Sequence, residues 1–192
     1  MLSSVGRECD AFAQVRVRSE DGIDVARGEV GEVWLCAPWV TPGFWRRDDL
    51  DGERLRGGWL RTGDLGSLDQ EGYLHLADRK EDVIISGGYN VYPAEVEHVL
   101  AEHPAVAESG VFAVPDPKWG EAIRAAVVLR PGHTVTADEI LAFARQRLAR
   151  FKAPKAIDVV GELPKTAVGK ILRRELRAPY WQGRTRGVHG AE

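Results

Sequence analysis

Two adjacent glycines lie in the middle of an apolar segment that runs from Val83 to Val91. Gly87 and Gly88 can supply the positive φ angles of a tight turn, so the segment is predicted to form a β-hairpin. Pro93 follows closely and favours the first position of a helix. The character of the chain changes at this point, which predicts different structures on its two sides.

The part of the chain before the hairpin is predicted to be rich in β-strands. Residues 11–17 alternate between polar and apolar side chains, and residues 29–36 are typical of a second strand. Further short strands are predicted at residues 58–61 and 73–76, with a charged turn at residues 46–52. The segment also contains more large aromatic groups than it can bury alone, which suggests a missing packing partner: Trp34, Trp39, Trp45 and Trp59.

The part after the hairpin is predicted to be an α+β unit. Strands are expected at residues 106–114, 122–129 and 156–160. Helices are expected after Pro93, after the capping box Thr136–Glu139, and at residues 169–176. The predicted fold class is therefore α+β, in three parts: a β-rich segment (1–80), a unit with a hairpin, a three-stranded sheet and helices on one side (81–180), and a disordered tail (181–192).

Composition excludes several classes of function. The 192 residues are 44% hydrophobic and 29% charged, with a net charge of −3 and no basic tract, which argues against nucleic-acid binding. Two cysteines without a C-x-x-C motif, no long apolar run and no signal peptide predict a cytoplasmic protein without a transmembrane segment. No phosphate-loop motif is present, and His98 and His103 have the wrong spacing for a metal site.

A few polar and aromatic side chains could carry chemistry. Asp64 could accept hydrogen bonds from the two hydroxyls of a ribose, although the residues around it are more typical of a turn aspartate. Arg79 lies in a charged run that is also typical of an exposed linker, and Lys170 ends a shaped loop where it could meet a phosphate or be an ordinary surface lysine. Trp119, Phe151 and Lys155 offer aromatic and cationic surface, although core packing would explain Trp119 as well.

The order and spacing of these motifs closely resemble the C-terminal part of the acyl-adenylate-forming superfamily, from about residue 5 to about residue 180. The matching segments are Thr62-Gly63-Asp64, Asp78-Arg79, residues 86–97, residues 103–106, residues 114–121 and residues 164–170. Within the superfamily the chain looks most like a CoA ligase for fatty acids or other carboxylic acids. The resemblance implies a reaction in two steps: an acid and ATP form an acyl-adenylate, and coenzyme A then displaces AMP.

The resemblance also implies roles for single residues. Asp64 and Arg79 would bind the ribose hydroxyls of ATP, and Lys170 would be the catalytic residue at the α-phosphate and the attacking carboxylate. Glu81 would be the hinge about which residues 81–180 turn between the two steps. The positions implied to bind coenzyme A are Gly87 and Gly88 along the pantetheine arm, and Trp119, Phe151 and Lys155 near its nucleotide.

Several family features are missing from the chain. The phosphate loop, the acid pocket and the glutamate that binds Mg²⁺ would all lie upstream, in the rest of a large domain that residues 1–80 only complete. Ala153 stands where some members have an arginine that grips coenzyme A, and Glu81 stands where aspartate or lysine is more usual. The chain alone is therefore expected to be inactive. A non-catalytic lid that binds a nucleotide or a partner, or an adenylating domain with another acceptor, are the alternatives.

Overall fold

The computed structural model describes residues 4–8 and 12–183. The chain divides into two units, Met1–Lys80 and Glu81–Glu192. No helix in the described part of the chain is long and apolar enough to cross a membrane. Cys9 and most of the predicted disordered tail, from residue 184 on, lie outside the described residues.

The first unit is built on a five-stranded antiparallel sheet. The strand order is β1-β2-β4-β3, and β5 also pairs with β4. One short helix, α1, precedes β3. The element bounds are β1 Gln14–Arg18, β2 Gly31–Cys36, α1 Asp48–Arg54, β3 Leu55–Arg56, β4 Trp59–Leu68 and β5 Leu74–Arg79.

Two predictions for this unit were wrong. The charged turn expected at residues 46–52 is largely helix α1, whose first turn carries Asp48, Asp49 and Asp51. These carboxylates favour a helix because they lie near its positive N-terminal end. The strand expected at residues 58–61 continues through Gly63 and Gly66 to Leu68.

The tryptophans of this unit have different environments. Trp34 is buried at 4% exposure, and the guanidinium of Arg18 lies 4.8 Å from the Trp34 ring and 4.6 Å from the Trp59 ring. Trp39 and Trp45 are 68% and 86% exposed. The sheet therefore covers some of its aromatic groups and leaves others on the surface.

The second unit contains a second five-stranded sheet with the order β10-β9-β6-β7, in which β8 also pairs with β9. Hairpin β6–β7 joins β9 where Ser86 pairs with Gly120. Strand β10 runs parallel to β9, as expected for a chain that returns through a helix. The bounds are β6 Ile84–Ser86, β7 Tyr89–Val91, α2 Pro93–Ala101, β8 Val106–Asp116, β9 Gly120–Leu129, α3 Ala137–Arg147, β10 Ala156–Val159 and α4 Arg173–Arg177.

The central strands of this unit are covered on both faces. Val111 and Ala125 belong to the main core, which also includes Leu100 of α2 and Ile140 of α3. Their neighbours in the strands point the other way, into a smaller cluster that lies under the C-terminal segment: Phe112 and Ala126, with Leu163, Ile171 and Leu176. The expectation of helices on one side was therefore wrong, because the sheet is apolar on both faces and α4 packs on the second one.

The C-terminal boundaries also differ from the predictions. The last helix begins at Arg173, not at Gly169, so Lys170 lies in a turn before it. The disordered tail was predicted to begin at Trp181, but the Trp181 ring packs against the main core. Its indole N–H donates to the carbonyl of Ala113 at 2.9 Å, which satisfies the polar atom of a partly buried ring.

Candidate functional site

Asp64 and Arg79 face each other on neighbouring strands of the first unit. Asp64 lies within β4 and pairs in register with Arg79, the last residue of β5. Arg79 Nε lies 3.5 Å from Asp64 Oδ1, and the two side chains are 60% and 37% exposed, respectively. The predicted strand ended at residue 61 and Asp64 was typical of a turn, so its position inside β4 corrects that detail. The pair presents a hydrogen-bond acceptor and a cation on one accessible surface.

The backbone beside Asp64 is held by its neighbours. The Thr62 hydroxyl donates to the carbonyl of Val33 at 2.8 Å and accepts the Asp64 N–H at 3.0 Å. Between them, Gly63 has a φ of +77°, which an L side chain rarely adopts. Such a carboxylate, fixed through its backbone and open to solvent, can accept hydrogen bonds from two neighbouring hydroxyls.

The charged run after Arg79 is more than an exposed linker. The Lys80 ammonium lies 3.4 Å from Glu20 Oε1 and 3.7 Å from Glu32 Oε2. The Glu32 side chain is 7% exposed and also accepts a 2.7 Å hydrogen bond from Arg61. Lys80 therefore belongs to the packed edge of the first unit, which sequence reasoning missed because its partners are distant in the sequence.

Glu81 is the first residue of the second unit. It lies in a single 3₁₀ turn, Lys80–Asp82, in which no residue is buried. Its carbonyl accepts a long hydrogen bond of 3.4 Å from Arg177. The residue predicted to be the hinge therefore lies at the boundary between the units, in a short turn.

Gly87 is in close contact with Trp119. A Cβ atom at Gly87 would lie 2.6 Å from Trp119 Cε3, whereas one at Gly88 would meet nothing within 4 Å. Gly87 N–H also donates to the Trp119 carbonyl at 2.9 Å. Both glycines have positive φ, +61° and +84°, as predicted for the turn of the hairpin. The Trp119 ring therefore packs on the tip of the hairpin and stays 40% exposed.

Two lysines lie close to the Trp119 ring. Lys118 Nζ and Lys155 Nζ are 4.7 Å and 5.1 Å from its centroid, within the range of cation–π attraction. The Trp119 and Lys118 N–H groups each donate to Asp116 Oδ1 at 2.9 Å. These hydrogen bonds hold the pKa of the Asp116 carboxyl below its ordinary value of 3.8. The Asp116 carboxylate therefore stabilises the turn between β8 and β9 through two hydrogen bonds.

A second aromatic pair flanks the hairpin. The rings of Tyr89 and Phe151 are 4.7 Å apart, and the two side chains are 59% and 41% exposed. Among the predicted positions, Trp119 therefore contacts both Gly87 and Lys155. Phe151 contacts Tyr89, which lies in the same hairpin as Gly87. Sequence reasoning missed two residues here. Tyr89 directly follows the Gly87–Gly88 turn, and Lys118 directly precedes Trp119. Together they form an accessible surface of aromatic rings and ammonium groups.

Lys170 lies on a different, tight turn. Thr166 N–H donates to the Lys170 carbonyl at 2.8 Å, and the Thr166 hydroxyl accepts the Lys170 N–H at 3.1 Å. Gly169, with a φ of +82°, allows the chain to reverse. Lys170 is exposed, and Val168 beside it is 80% exposed. The turn therefore projects an ammonium group into solvent from a backbone that is hydrogen-bonded within itself.

No arrangement of described residues suggests a metal centre. Within residues 4–8 and 12–183, no three His, Cys, Asp or Glu side chains converge as metal ligands. Asp64 is paired with Arg79 instead, and Glu32 is paired with Arg61 and Lys80.

Comparisons with known proteins match these features to one family. Residues 95–170 match the family described as the AMP-binding enzyme C-terminal domain. The 2-succinylbenzoate–CoA ligase of Bacillus cereus (strain Q1) is 48% identical over 178 residues, which are 92% of this chain and 37% of that relative. The chain thus spans little more than a third of the length of that enzyme.

Solved structures give the same result. The o-succinylbenzoate CoA synthetase of Bacillus subtilis, in complex with its acyl-adenylate intermediate, is 41% identical with a TM-score of 0.84, over 91% of this chain and 35% of that one. The amide bond synthetase McbA of Marinactinospora thermotolerans is 41% identical with a TM-score of 0.85, over 93% and 37% of the two chains.

The B. subtilis enzyme has also been solved with AMP and with ATP and a magnesium ion. The mixed α/β structure, the family match in the second unit and the similarity to CoA ligases over nearly the whole chain agree with the resemblance inferred from the motifs. Residues 95–170 therefore carry the AMP-binding enzyme C-terminal domain, and nearly the whole chain is similar to CoA-ligase-type members of the acyl-adenylate-forming superfamily over little more than a third of their length.

Proposed function

We propose that this chain supplies the end of the large domain and the mobile lid of a carboxylic acid–CoA ligase. The observation that carries the proposal is the identity of 48% over 178 residues with a 2-succinylbenzoate–CoA ligase. That span includes all the candidate residues. In this proposal, residues 1–80 complete a large domain, residues 81–180 are the lid, and Glu81 is the hinge. The exposed Trp39 and Trp45 support a larger first domain, since large apolar groups are usually covered.

In the first step, an acid and ATP form an acyl-adenylate and pyrophosphate. Asp64 accepts hydrogen bonds from the ribose hydroxyls of ATP, and Arg79 beside it orients that carboxylate and can donate to the ribose. Lys170 brings its ammonium group to the α-phosphate and the attacking carboxylate, where negative charge accumulates in the transition state. The accessible pair at 3.5 Å and the exposed position of Lys170 support these roles. Magnesium would be held by groups outside the described residues.

In the second step, the thiol of coenzyme A displaces AMP. Gly88 lets the pantetheine arm pass close to the backbone, because a Cβ there would meet nothing within 4 Å. Gly87 contributes through Trp119, because its missing side chain leaves the room that this ring fills beside the arm. Trp119 and Phe151 offer rings for the adenine, and Lys155 is a cation for a phosphate group. The contacts of Trp119 with Gly87 and of Lys155 with Trp119 support a joint role.

The chemical class of the acid is a separate part of the proposal. A fatty acid was the expectation from the motifs, but the B. cereus ligase and the B. subtilis synthetase act on 2-succinylbenzoate by their names. The acid-binding pocket of the family lies upstream of these residues. We therefore propose a carboxylic acid and leave its class to a substrate panel that contains both aromatic and fatty acids.

The proposal is tested by joining this chain to the upstream part of the B. cereus ligase in place of that enzyme's own C-terminal segment. The chain alone should not catalyse ATP–pyrophosphate exchange, whereas the hybrid should do so with 2-succinylbenzoate. In the hybrid, Lys170→Ala should slow adenylation by about a hundredfold or more, the usual cost of removing a group that stabilises transition-state charge.

The control for that variant is Lys165→Ala, which removes the same charge from the same loop. Lys165 Nζ is already paired with Glu108 at 2.6 Å, so its loss should change adenylation little. Thioester formation from a supplied acyl-adenylate should survive Lys170→Ala. Equal losses in both half-reactions would contradict the role of Lys170. Robust ATP–pyrophosphate exchange by the chain alone would contradict the proposal that it needs an upstream part for catalysis.

One observation favours a second acceptor. McbA, with 41% identity, is an amide bond synthetase by its title. An amine could therefore replace coenzyme A in the second step. The hybrid should be offered coenzyme A and a panel of amines in parallel, and the faster acceptor decides between a thioester and an amide product.

A further inference from the structure

Arg173 lies three residues after Lys170, at the first position of α4, and makes a forked set of ion pairs. Its Nη2 is 2.7 Å from Glu97 Oε2, and its Nε is 3.0 Å from Glu97 Oε1. Its Nη1 is 3.1 Å from Asp82 Oδ2. The side chain is 19% exposed, so these contacts are shielded from bulk water. A planar guanidinium with two carboxylate partners has a defined orientation that a lysine cannot reproduce.

Both carboxylates are themselves fixed. Glu97 lies on α2, is 17% exposed and accepts the backbone N–H of Val111 at 2.8 Å. Asp82 lies in the 3₁₀ turn directly after Glu81 and its side chain is 13% exposed. It also forms an ion pair with Arg177, whose Nη1 lies 3.4 Å from Asp82 Oδ1. Arg173 therefore connects three places in the second unit: the turn at its first residues, the helix α2, and the segment that carries Lys170.

The segment before Arg173 has one other polar contact with the rest of the unit, the ion pair of Lys165 with Glu108 of β8 at 2.6 Å. Its side chains are 36% and 40% exposed, and such a solvent-exposed pair orients the turn only weakly. Within the turn, Thr166 and Lys170 bond to each other, and Leu172 N–H donates to the Pro164 carbonyl at 2.8 Å. These bonds keep the turn closed, but they do not attach it to the rest of the unit. Ile171 attaches it through apolar packing, which is less directional.

We propose that Arg173 is a positioning residue that sets the orientation of the Lys170 turn and ties it to Asp82, the neighbour of Glu81. The effect of Arg173 on catalysis rests on the proposed function, whereas its effect on the orientation of the Lys170 turn does not. Because one guanidinium holds both segments, a displacement of the Glu81–Asp82 turn is transmitted to the base of the Lys170 turn.

The effect on the turn is measured in the chain itself by amide hydrogen exchange. Arg173→Gln should accelerate exchange at Thr166, Gly169 and Lys170 by about ten- to a hundredfold, as expected for the loss of hydrogen bonds between charged groups. Arg174→Gln is the matched control, because Arg174 is the next residue of α4 and is exposed. It should leave the turn unchanged.

A variant that only unfolds the unit is recognised by its core. The amides of β8 and β9 should keep their protection in Arg173→Gln. If they do not, Glu97→Gln/Arg173→Gln should restore them, because it removes the charge of the acid that has lost its cation, whereas Asp82 still has Arg177. Arg173→Lys keeps the charge but not the fork, and should give an intermediate effect. Equal acceleration in Arg173→Gln and Arg174→Gln, or none in either, would overturn the proposal.

The catalytic consequence is measured in the hybrid enzyme. Arg173→Gln should slow adenylation about tenfold or more through kcat, with little change in KM for ATP, because Arg173 acts through Lys170. Thioester formation from supplied acyl-adenylate should be nearly unchanged. An equal loss in both half-reactions refutes the catalytic part. A hybrid that is inactive before any substitution refutes the proposed function, while the exchange measurement still decides the effect on the turn.

Discussion

A methyl group added at Gly87 should destabilise the second unit more than one added at Gly88. Both residues have positive φ, so alanine at either position adopts a backbone conformation that costs about 1–2 kcal/mol. Only at Gly87 would the new Cβ meet a neighbour, since it would lie 2.6 Å from Trp119 Cε3 and 3.1 Å from Cζ3. The difference between the two variants therefore isolates the contact with the tryptophan.

The size of that difference depends on where the Trp119 ring can go. Overpacking a well-filled site costs about 1–3 kcal/mol. The ring is 40% exposed, so it can rotate towards solvent, and the lower half of that range applies. We expect Gly88→Ala to lower the free energy of unfolding by about 1–2 kcal/mol and Gly87→Ala by about 2–4 kcal/mol.

Urea unfolding followed at the amide signals of β8 and β9 measures the second unit without contributions from the first. Tryptophan side-chain signals report whether the ring has moved, and Gly87→Ala alone should shift that of Trp119. Equal destabilisation by both substitutions, with an unmoved ring, would refute the packing of Trp119 on the hairpin tip.

Two further predictions concern carboxylates of the same unit. The hydrogen bonds from Trp119 and Lys118 lower the pKa of Asp116 in the folded state. The stability that they contribute is therefore present above the unfolded pKa of 3.8 and is lost as the pH falls through the lower, folded pKa. A carboxyl titration of Asp116 by NMR should give a midpoint below 3.8. Arg124 donates two hydrogen bonds of 2.6 Å to Asp158, so Asp158→Asn should lower the free energy of unfolding by about 1–2 kcal/mol in urea titrations, and unchanged stability would count against this pair.

The second unit was predictable because its signals are local. The paired glycines place the hairpin, Pro93 starts α2, and Thr136 caps α3 in a box with Glu139 that the structure contains. Each signal acts within a few residues, so no knowledge of distant partners is required. Lys170 is the exception, because the apolar spacing after Gly169 is compatible with a helix that in fact starts at Arg173.

The first unit was less predictable because two of its glycines, Gly63 and Gly66, lie inside strand β4 and do not mark turns. A Cβ at Gly66 would lie 2.6 Å from the His75 carbonyl, so the glycine allows the close approach of β5 to β4. From the sequence alone such a glycine is typical of a strand end. The register that puts Asp64 opposite Arg79 includes an irregularity at Leu65–Gly66, and no local pattern predicts it.

Charged contacts between distant residues were the hardest features to predict. Lys80 is 48 residues from Glu32, and Arg173 is 91 residues from Asp82. Sequence patterns classify such residues as surface charges, because hydrophobic periodicity carries no information about which charges meet. The candidate residues themselves were found through motif order, whereas the residues that hold them in place required the fold.

The hairpin shows how one such support works. Strand β6 meets β9 at Ser86 and Gly120, so Ile85 N–H, one residue earlier, needs another acceptor. The carboxylate of Glu121 accepts it at 2.8 Å, and the Glu121 residue is 7% exposed. A charged side chain thus takes the place of a backbone carbonyl in a buried position, where an unpaired N–H would be costly. The position of Gly87 beside Trp119 therefore depends on a buried glutamate as well as on the turn, which explains why the hairpin can present an exposed tip and remain fixed to the sheet.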